Sequence, residues 1–177
     1  MLLAVGGGLL LIWAVSLYGL LHLEVVYALA LVPRAPDGAI GILTMPLVHG
    51  SIQHLVVNSV SFAALAAVLA ARSASHFLYA TLLILLVGGS ALWIVGREGA
   101  HIGASLLVFG YFGLLATRGF FEQRLLSIVV SIVVIGLYAG LLWGIVPNEE
   151  RISWEGHLLG LLAGIFAARV LSRRGAS

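Results

Sequence analysis

The chain has 177 residues, of which 62% are hydrophobic and 9% charged, with a net charge of +2 and no cysteine. Globular domains carry roughly a quarter charged residues, so a water-soluble fold is excluded. The missing cysteine excludes thiol catalysis, thiolate zinc sites, iron–sulfur clusters and disulfides.

Uncharged runs long enough for a helix to cross a bilayer, about 20 residues, recur along the chain. They are too long for barrel strands, which take about 9–11 residues of alternating polarity. Six spans are predicted, over residues 2–21, 47–70, 76–95, 103–117, 125–146 and 153–171. The fold class is therefore all-α, a polytopic six-helix membrane bundle forming one domain over 1–177. The first run lacks a basic n-region and exceeds the usual apolar core of a signal peptide, about 7–15 residues, so it reads as a retained span.

All nine cations are arginine. With the N-terminus inside, Arg72, Arg118, Arg124, Arg169, Arg173 and Arg174 share one side, against Arg34, Arg97 and Arg151 on the other. The positive-inside rule then makes both termini cytoplasmic and turns the segments before Ser105 and His157 outward. Arginine without lysine, with abundant Ala and Gly, points to a GC-rich bacterial genome and so to the inner membrane. The scattered arginines form no patch for nucleic acid.

Residues 22–46 form the longest connection. Pro33, Pro36-Asp37-Gly38 and Pro46 interrupt apolar pieces there, a pattern for a loop lying partly in the membrane interface. The second span opens with His49, His54 and Asn58. His54 and Asn58 are four apart and share a helix face, whereas His49 points elsewhere. Polar side chains inside a membrane are costly and face a bundle interior or cavity; hydrogen bonding between helices and a functional site are both open for this pair. A metal site at His49 and His54 lacks a third ligand at helical spacing.

Gly88-Gly89-Ser90 on the third span is a small-residue patch for close packing, with Trp93 as an interface aromatic. The fourth span is short and rich in glycine, with Gly103, Gly110 and Gly113 around Ser105 and Gly99 just before it. The fifth, with Gly136, Gly140 and Gly144, carries no evident chemistry. On the last span Ser153 is placed to cap the helix and Glu155 suits the positive end of its dipole. Gly156, Gly160 and Gly164 make a small-xxx-small stripe beside His157.

A serine needs a base to become a nucleophile, and histidine is the usual one near neutral pH. Glycine-lined helices let Ser105 and His157 approach each other. The Asn58 amide, the His54 imidazole and the Ser105 N–H are donors for an oxyanion. No carboxylate is placed as a third member, so the pattern predicts a Ser–His dyad without cofactor or metal.

Three blocks, His49-x4-His54-x3-Asn58, Gly103-Ala104-Ser105 with Gly110 and Gly113, and Gly156-His157-x2-Gly160-x3-Gly164, resemble the rhomboid intramembrane serine proteases in order and in placement on spans two, four and six. The resemblance implies Ser105 as nucleophile, His157 as base, and His54 with Asn58 as oxyanion stabilisers. It also implies cleavage of transmembrane protein substrates in the lipid bilayer, with access gated by residues 125–146 and 147–152. Two features depart from the family pattern. Leu106 replaces the glycine that usually follows the serine, and the first loop lacks the Trp-Arg motif of many members. Leu106 leaves an alternative, a catalytically impaired rhomboid-like protein that binds membrane helices without cleaving them. A transporter is disfavoured, since no intramembrane carboxylate is available for ion coupling and the spans show no inverted repeat.

Overall fold

The computed structural model describes residues 2–147 and 153–174, with Leu2, Arg173 and Arg174 as backbone only. Glu149, Glu150, Arg151 and most of the predicted gating loop lie outside the described residues. Helix α1 (Leu2–Leu21) leads to a short α2 (Leu23–Leu29), a 3₁₀ turn (Asp37–Ile40), α3 (Gly41–Thr44) and a second 3₁₀ turn (Met45–Leu47). Helix α4 (Ile52–Ala70) and α5 (Ala74–Ile84) follow, and a π-helical turn (Leu85–Gly89) carries α5 into α6 (Ser90–Val95). Then come α7 (Ser105–Glu122), α8 (Leu125–Tyr138) with a 3₁₀ extension (Ala139–Ile145), and α9 (Trp154–Arg174). No strand forms among the described residues.

Five helical stretches, Leu3–Leu21, Ile52–Ala70, Ala74–Val95, Leu125–Ile145 and Trp154–Ser172, are long and apolar enough to cross a membrane. Helix α7 stands at the centre of the bundle. Every residue from Leu106 to Leu115 is buried, and α4, α5, α8 and α9 all pack on it.

Several predicted boundaries move for local reasons. The second span begins at Ile52, because Pro46 lies in a 3₁₀ turn and Ser51, in extended conformation, caps the helix by accepting the His54 N–H at 3.1 Å. His49 therefore precedes the helix. The fourth span is longer than expected and runs to Glu122. Its charges are neutralised locally, since Arg72, Arg118 and Ser127 converge on the Glu122 carboxylate. Regular α-helix in the fifth span stops at Tyr138.

The first connection is more structured than a loose interfacial loop. Thr44 Oγ1 donates to the Leu29 carbonyl at 2.8 Å, and the Arg34 guanidinium donates to the Gly96 carbonyl at 2.7 Å. Trp93 is tied to the same segment through its indole N–H, 3.0 Å from the Ala35 carbonyl.

The tightest packing joins α7 and α9. A methyl group on Gly160 would collide with the Leu106 carbonyl, one on Gly164 with the Gly110 carbonyl, and one on Gly113 with the Leu161 carbonyl. Backbone thus meets backbone, as small residues permit where no hydrophobic effect drives helices together. Gly156 stands apart from this seam, since the nearest atom to a methyl there is Ser153 Oγ of its own cap, at 2.7 Å. Helix α8 is pinned to α7 by Ser131, which accepts the Gly119 N–H at 2.9 Å and donates to the Leu115 carbonyl at 2.8 Å. The hydroxyl is spliced into one i→i−4 link of α7.

Overpacking a dense interior costs about 1–3 kcal/mol. Gly164→Ala should therefore lower the midpoint of thermal unfolding in detergent. Gly136→Ala, where a methyl meets nothing within 4 Å, should leave it unchanged. Equal midpoints for the two variants would contradict the seam.

Candidate active site

Ser105 opens α7, and the loop before it is held from three directions. His101 exchanges two backbone hydrogen bonds with Leu31, at 3.0 and 2.8 Å. The Gly103 N–H donates to the Met45 carbonyl at 2.9 Å, and the Ala104 N–H donates to His49 Nε2 at 3.3 Å. Gly103 has φ +103°, a conformation that L side chains rarely adopt. A methyl there would lie 2.7 Å from His54 Nε2 and 3.4 Å from Asn58 Nδ2. The glycine is required both by the turn and by the approach of α4.

His49 forms a directional chain. Ser16 Oγ donates to the Leu47 carbonyl at 2.8 Å, so its lone pair faces His49 Nδ1 at 2.9 Å. The imidazole accordingly carries its proton on Nδ1 and accepts the Ala104 N–H at Nε2. Sequence spacing had His49 pointing away from His54; the rings meet edge to face at 4.8 Å. Both of its nitrogens are occupied by protein, which leaves none for a metal. No group of three or more metal-ligating side chains occurs among the described residues.

Asn58 is buried on α4, and its Nδ2 has no hydrogen-bond partner among the described residues. Leaving such a donor unmade costs about 1–3 kcal/mol, and a buried orphan of this kind calls for an explanation.

His157 lies in the first turns of α9. Its Nδ1 is 2.8 Å from the Gly144 carbonyl, and its ring stacks on Phe109 with centroids 4.1 Å apart and planes at 6°. A carbonyl only accepts, so Nδ1 carries the proton and Nε2 keeps a lone pair. This is the tautomer a general base needs. Gly144 was read from sequence as part of a chemically silent span; its backbone carbonyl orients the imidazole instead. A carbonyl oxygen has no sequence signature, so nothing in the chain could have announced it.

Ser105, His157, His54 and Asn58 all line one cavity of about 770 Å³, walled also by residues 97–102 and by Gly140, Leu141 and Gly144. The Ser105 hydroxyl and His157 are not hydrogen-bonded to each other. Such bonds are often loose until substrate is bound. Leu106 is 1% exposed and does not line the cavity. Its side chain turns toward the π-helical turn, where a methyl on Gly88 would be 3.5 Å from Leu106 Cδ2. The branched residue after the serine fills the core behind the site and does not narrow it.

The Rhomboid domain model matches residues 36–174. The chain belongs to the rhomboid family. Family and helices together make it an integral, multi-pass membrane protein. It is 36% identical over 149 residues to uncharacterized proteins from Mycobacterium bovis and Mycobacterium tuberculosis, covering 79% of this chain and 62% of theirs. A Mycobacterium leprae protein, also uncharacterized, is 36% identical over 141 residues, with 75% of this chain and 56% of that protein covered. The chain thus spans about three fifths of the length of the curated relatives it matches.

One further residue lining the cavity, His101, went unread in the sequence. His101 lies two residues before Gly103 and is buried; its imidazole reaches Ser153 Oγ at 2.6 Å and the Arg97 carbonyl at 3.1 Å. Burial holds His101 below the ordinary imidazole value; its bond to the Arg97 carbonyl and the Glu155 charge oppose that shift, and the Arg97 charge adds to it. Arg97 Nε lies 3.4 Å from Glu155 Oε1. Glu155, two residues before His157, is turned away from it toward this partner, as helix geometry requires.

If Leu106 is core and not a plug, Leu106→Ala should cost stability, about 2 kcal/mol or more. It should leave the rate of Ser105 labelling by a serine-reactive phosphonate within about threefold per folded molecule. A large gain in labelling would show that Leu106 obstructs the site.

Proposed function

We propose that this rhomboid chain is a serine endopeptidase that cleaves transmembrane-segment substrates through Ser105 and His157. The observation that carries the reading is the His157 tautomer. The Gly144 carbonyl accepts a hydrogen bond from Nδ1–H, leaving the Nε2 lone pair basic on a wall of the cavity that also holds Ser105.

The proposed reaction begins when Ser105 Oγ attacks the scissile carbonyl carbon and gives its proton to His157 Nε2. The new C–O bond places negative charge on the carbonyl oxygen. His54, the Asn58 amide and the Ser105 N–H, which has no partner inside α7 as a first-turn group, are the donors for it. Collapse breaks the C–N bond, and the imidazolium returns the proton to the leaving amine. Water, deprotonated by His157, then attacks the ester carbonyl, and as the C–O bond to Ser105 breaks the imidazolium returns that proton to Ser105 Oγ. The Asn58 donor without a partner supports this role, because an oxyanion would satisfy it.

The proposal extends to setting. One rhomboid domain, in a bacterial inner membrane with both termini of this chain cytoplasmic, agrees with the arginine distribution and with the mycobacterial source of its relatives. Helix α8 is the proposed side of substrate access, because it is the least buried of the five long apolar stretches. The reading of an impaired, helix-binding relative rested on Leu106 and loses that support with Leu106 turned into the core.

The test is incubation of purified protein in proteoliposomes with a transmembrane substrate, beside Ser105→Ala and His157→Ala. Cleavage by the parent protein alone is expected, and equal cleavage by all three would end the assignment.

His54→Ala and Asn58→Ala each remove one oxyanion donor and should lower kcat by about 10²–10³-fold. Unchanged turnover in both would remove them from the mechanism.

A further inference from the structure

We infer that His101 and Ser153 form a positioning pair that locks the turn carrying His157 onto the loop carrying Ser105. The inference rests on the proposed Ser105–His157 chemistry and concerns how the two halves of that site keep their register.

The pair lies on residues four before each of the two. His101 precedes Ser105 by four, and its backbone is fastened to Leu31 through both its N–H and its carbonyl. Ser153 precedes His157 by four, and its carbonyl accepts the His157 N–H at 3.1 Å. A bond between them at 2.6 Å therefore ties the anchored loop to the first turn of α9.

The direction of this bond follows from its neighbours. The Arg97 carbonyl accepts from His101 Nε2–H at 3.1 Å, so Nδ1 presents a lone pair and Ser153 Oγ–H donates to it. Ser153 Oγ in turn accepts the Gly156 N–H at 3.3 Å and caps α9. One hydroxyl thus does two jobs at once. It satisfies the helix end, and it fixes that end to a loop from another part of the chain. The Arg97–Glu155 ion pair joins the same two segments in parallel, from the same loop to the same turn.

The need for such a tie is geometric. The glycine seam grips α9 from Gly160 onward, and His157 projects beyond it at the free end of the helix. The Gly144 carbonyl that orients His157 belongs to the 3₁₀ extension of α8, and a methyl on Gly136 of α8 or Gly140 of the extension would meet nothing within 4 Å. Without the His101–Ser153 bond, the turn bearing the base would keep the Gly144 carbonyl, the Phe109 ring and the Arg97–Glu155 pair, but lose the direct tie from its cap to the loop. A displacement of about 1 Å at reacting groups costs on the order of 10²-fold in rate.

The experiment compares His101→Phe, Ser153→Ala, Ser153→Thr and the His101→Phe/Ser153→Ala double variant in proteoliposomes. The expected result is a kcat about 10–100-fold below the parent for His101→Phe and Ser153→Ala, with KM within about twofold. Ser153→Thr, which keeps a donating hydroxyl and the cap, should restore kcat to within about threefold. The double variant should be no slower than the worse single variant, as for two groups acting through one bond. Parent-like kcat in either single variant, losses that multiply in the double variant, or a Ser153→Thr variant as slow as Ser153→Ala would overturn the pairing.

Amide hydrogen exchange in detergent micelles decides the matter independently of turnover. His101→Phe should speed exchange across residues 154–158 by about tenfold while residues 109–115 of α7 stay protected. Parent-like exchange at 154–158 would overturn the tie. If the parent protein fails to cleave in a Ser105-dependent way, the protease reading falls, and the exchange measurement still reads the clasp.

Discussion

The rest of the molecule depends on the contact between α7 and α9, where Gly160 and Gly164 lie against the carbonyls of Leu106 and Gly110. Two backbones this close leave no room for sliding or rotation. Inside a bilayer, lipid tails are as apolar as leucine, so association must come from shape and van der Waals contact. The seam sets the distance and phase between the helix that begins with Ser105 and the helix that carries His157. It also accounts for the enclosure of α7, since α4, α5 and α8 complete its surroundings.

Around the seam, three imidazoles are each given a single tautomer by groups that can only accept or only donate. His49 is set by Ser16 and the Ala104 N–H, His101 by the Arg97 carbonyl and Ser153, and His157 by the Gly144 carbonyl. The first two hold the loop before Ser105 in place, and the third faces the cavity. Buried polar networks of this kind are costly when half satisfied and rigid when complete. Asn58 is the contrast: its buried amide donor has no partner. In the proposed reaction, that donor receives the charge of the reacting carbonyl.

The all-α bundle and the meeting of Ser105, His54, Asn58 and His157 at one cavity were readable from the chain, because helical spacing and the absence of charge act directly on residue types. Gly160 and Gly164 announced the seam for the same reason. Boundaries failed where a tertiary partner overruled composition. Arg118 and Glu122 looked like the end of the fourth span, but Glu122 pairs with Arg118 on its own helix and with Arg72 from a distant connection, inside a longer helix. Leu106 was ambiguous because sequence gives its size but not its direction, and the π-helical turn that receives it has no signature. His101 and Gly144 escaped notice because their roles arise from contacts between segments 52 and 13 residues apart, one of them through a backbone oxygen.

The most direct measurement is the structure of the protein after reaction with a monofunctional phosphonate that mimics a tetrahedral acyl intermediate. A single adduct on Ser105 Oγ is expected, with the phosphoryl oxygen within hydrogen-bond reach of His54 and Asn58 and His157 Nε2 beside the modified oxygen. An adduct on a different serine, or a folded protein whose Ser105 is no more reactive than its other serines, would contradict the account.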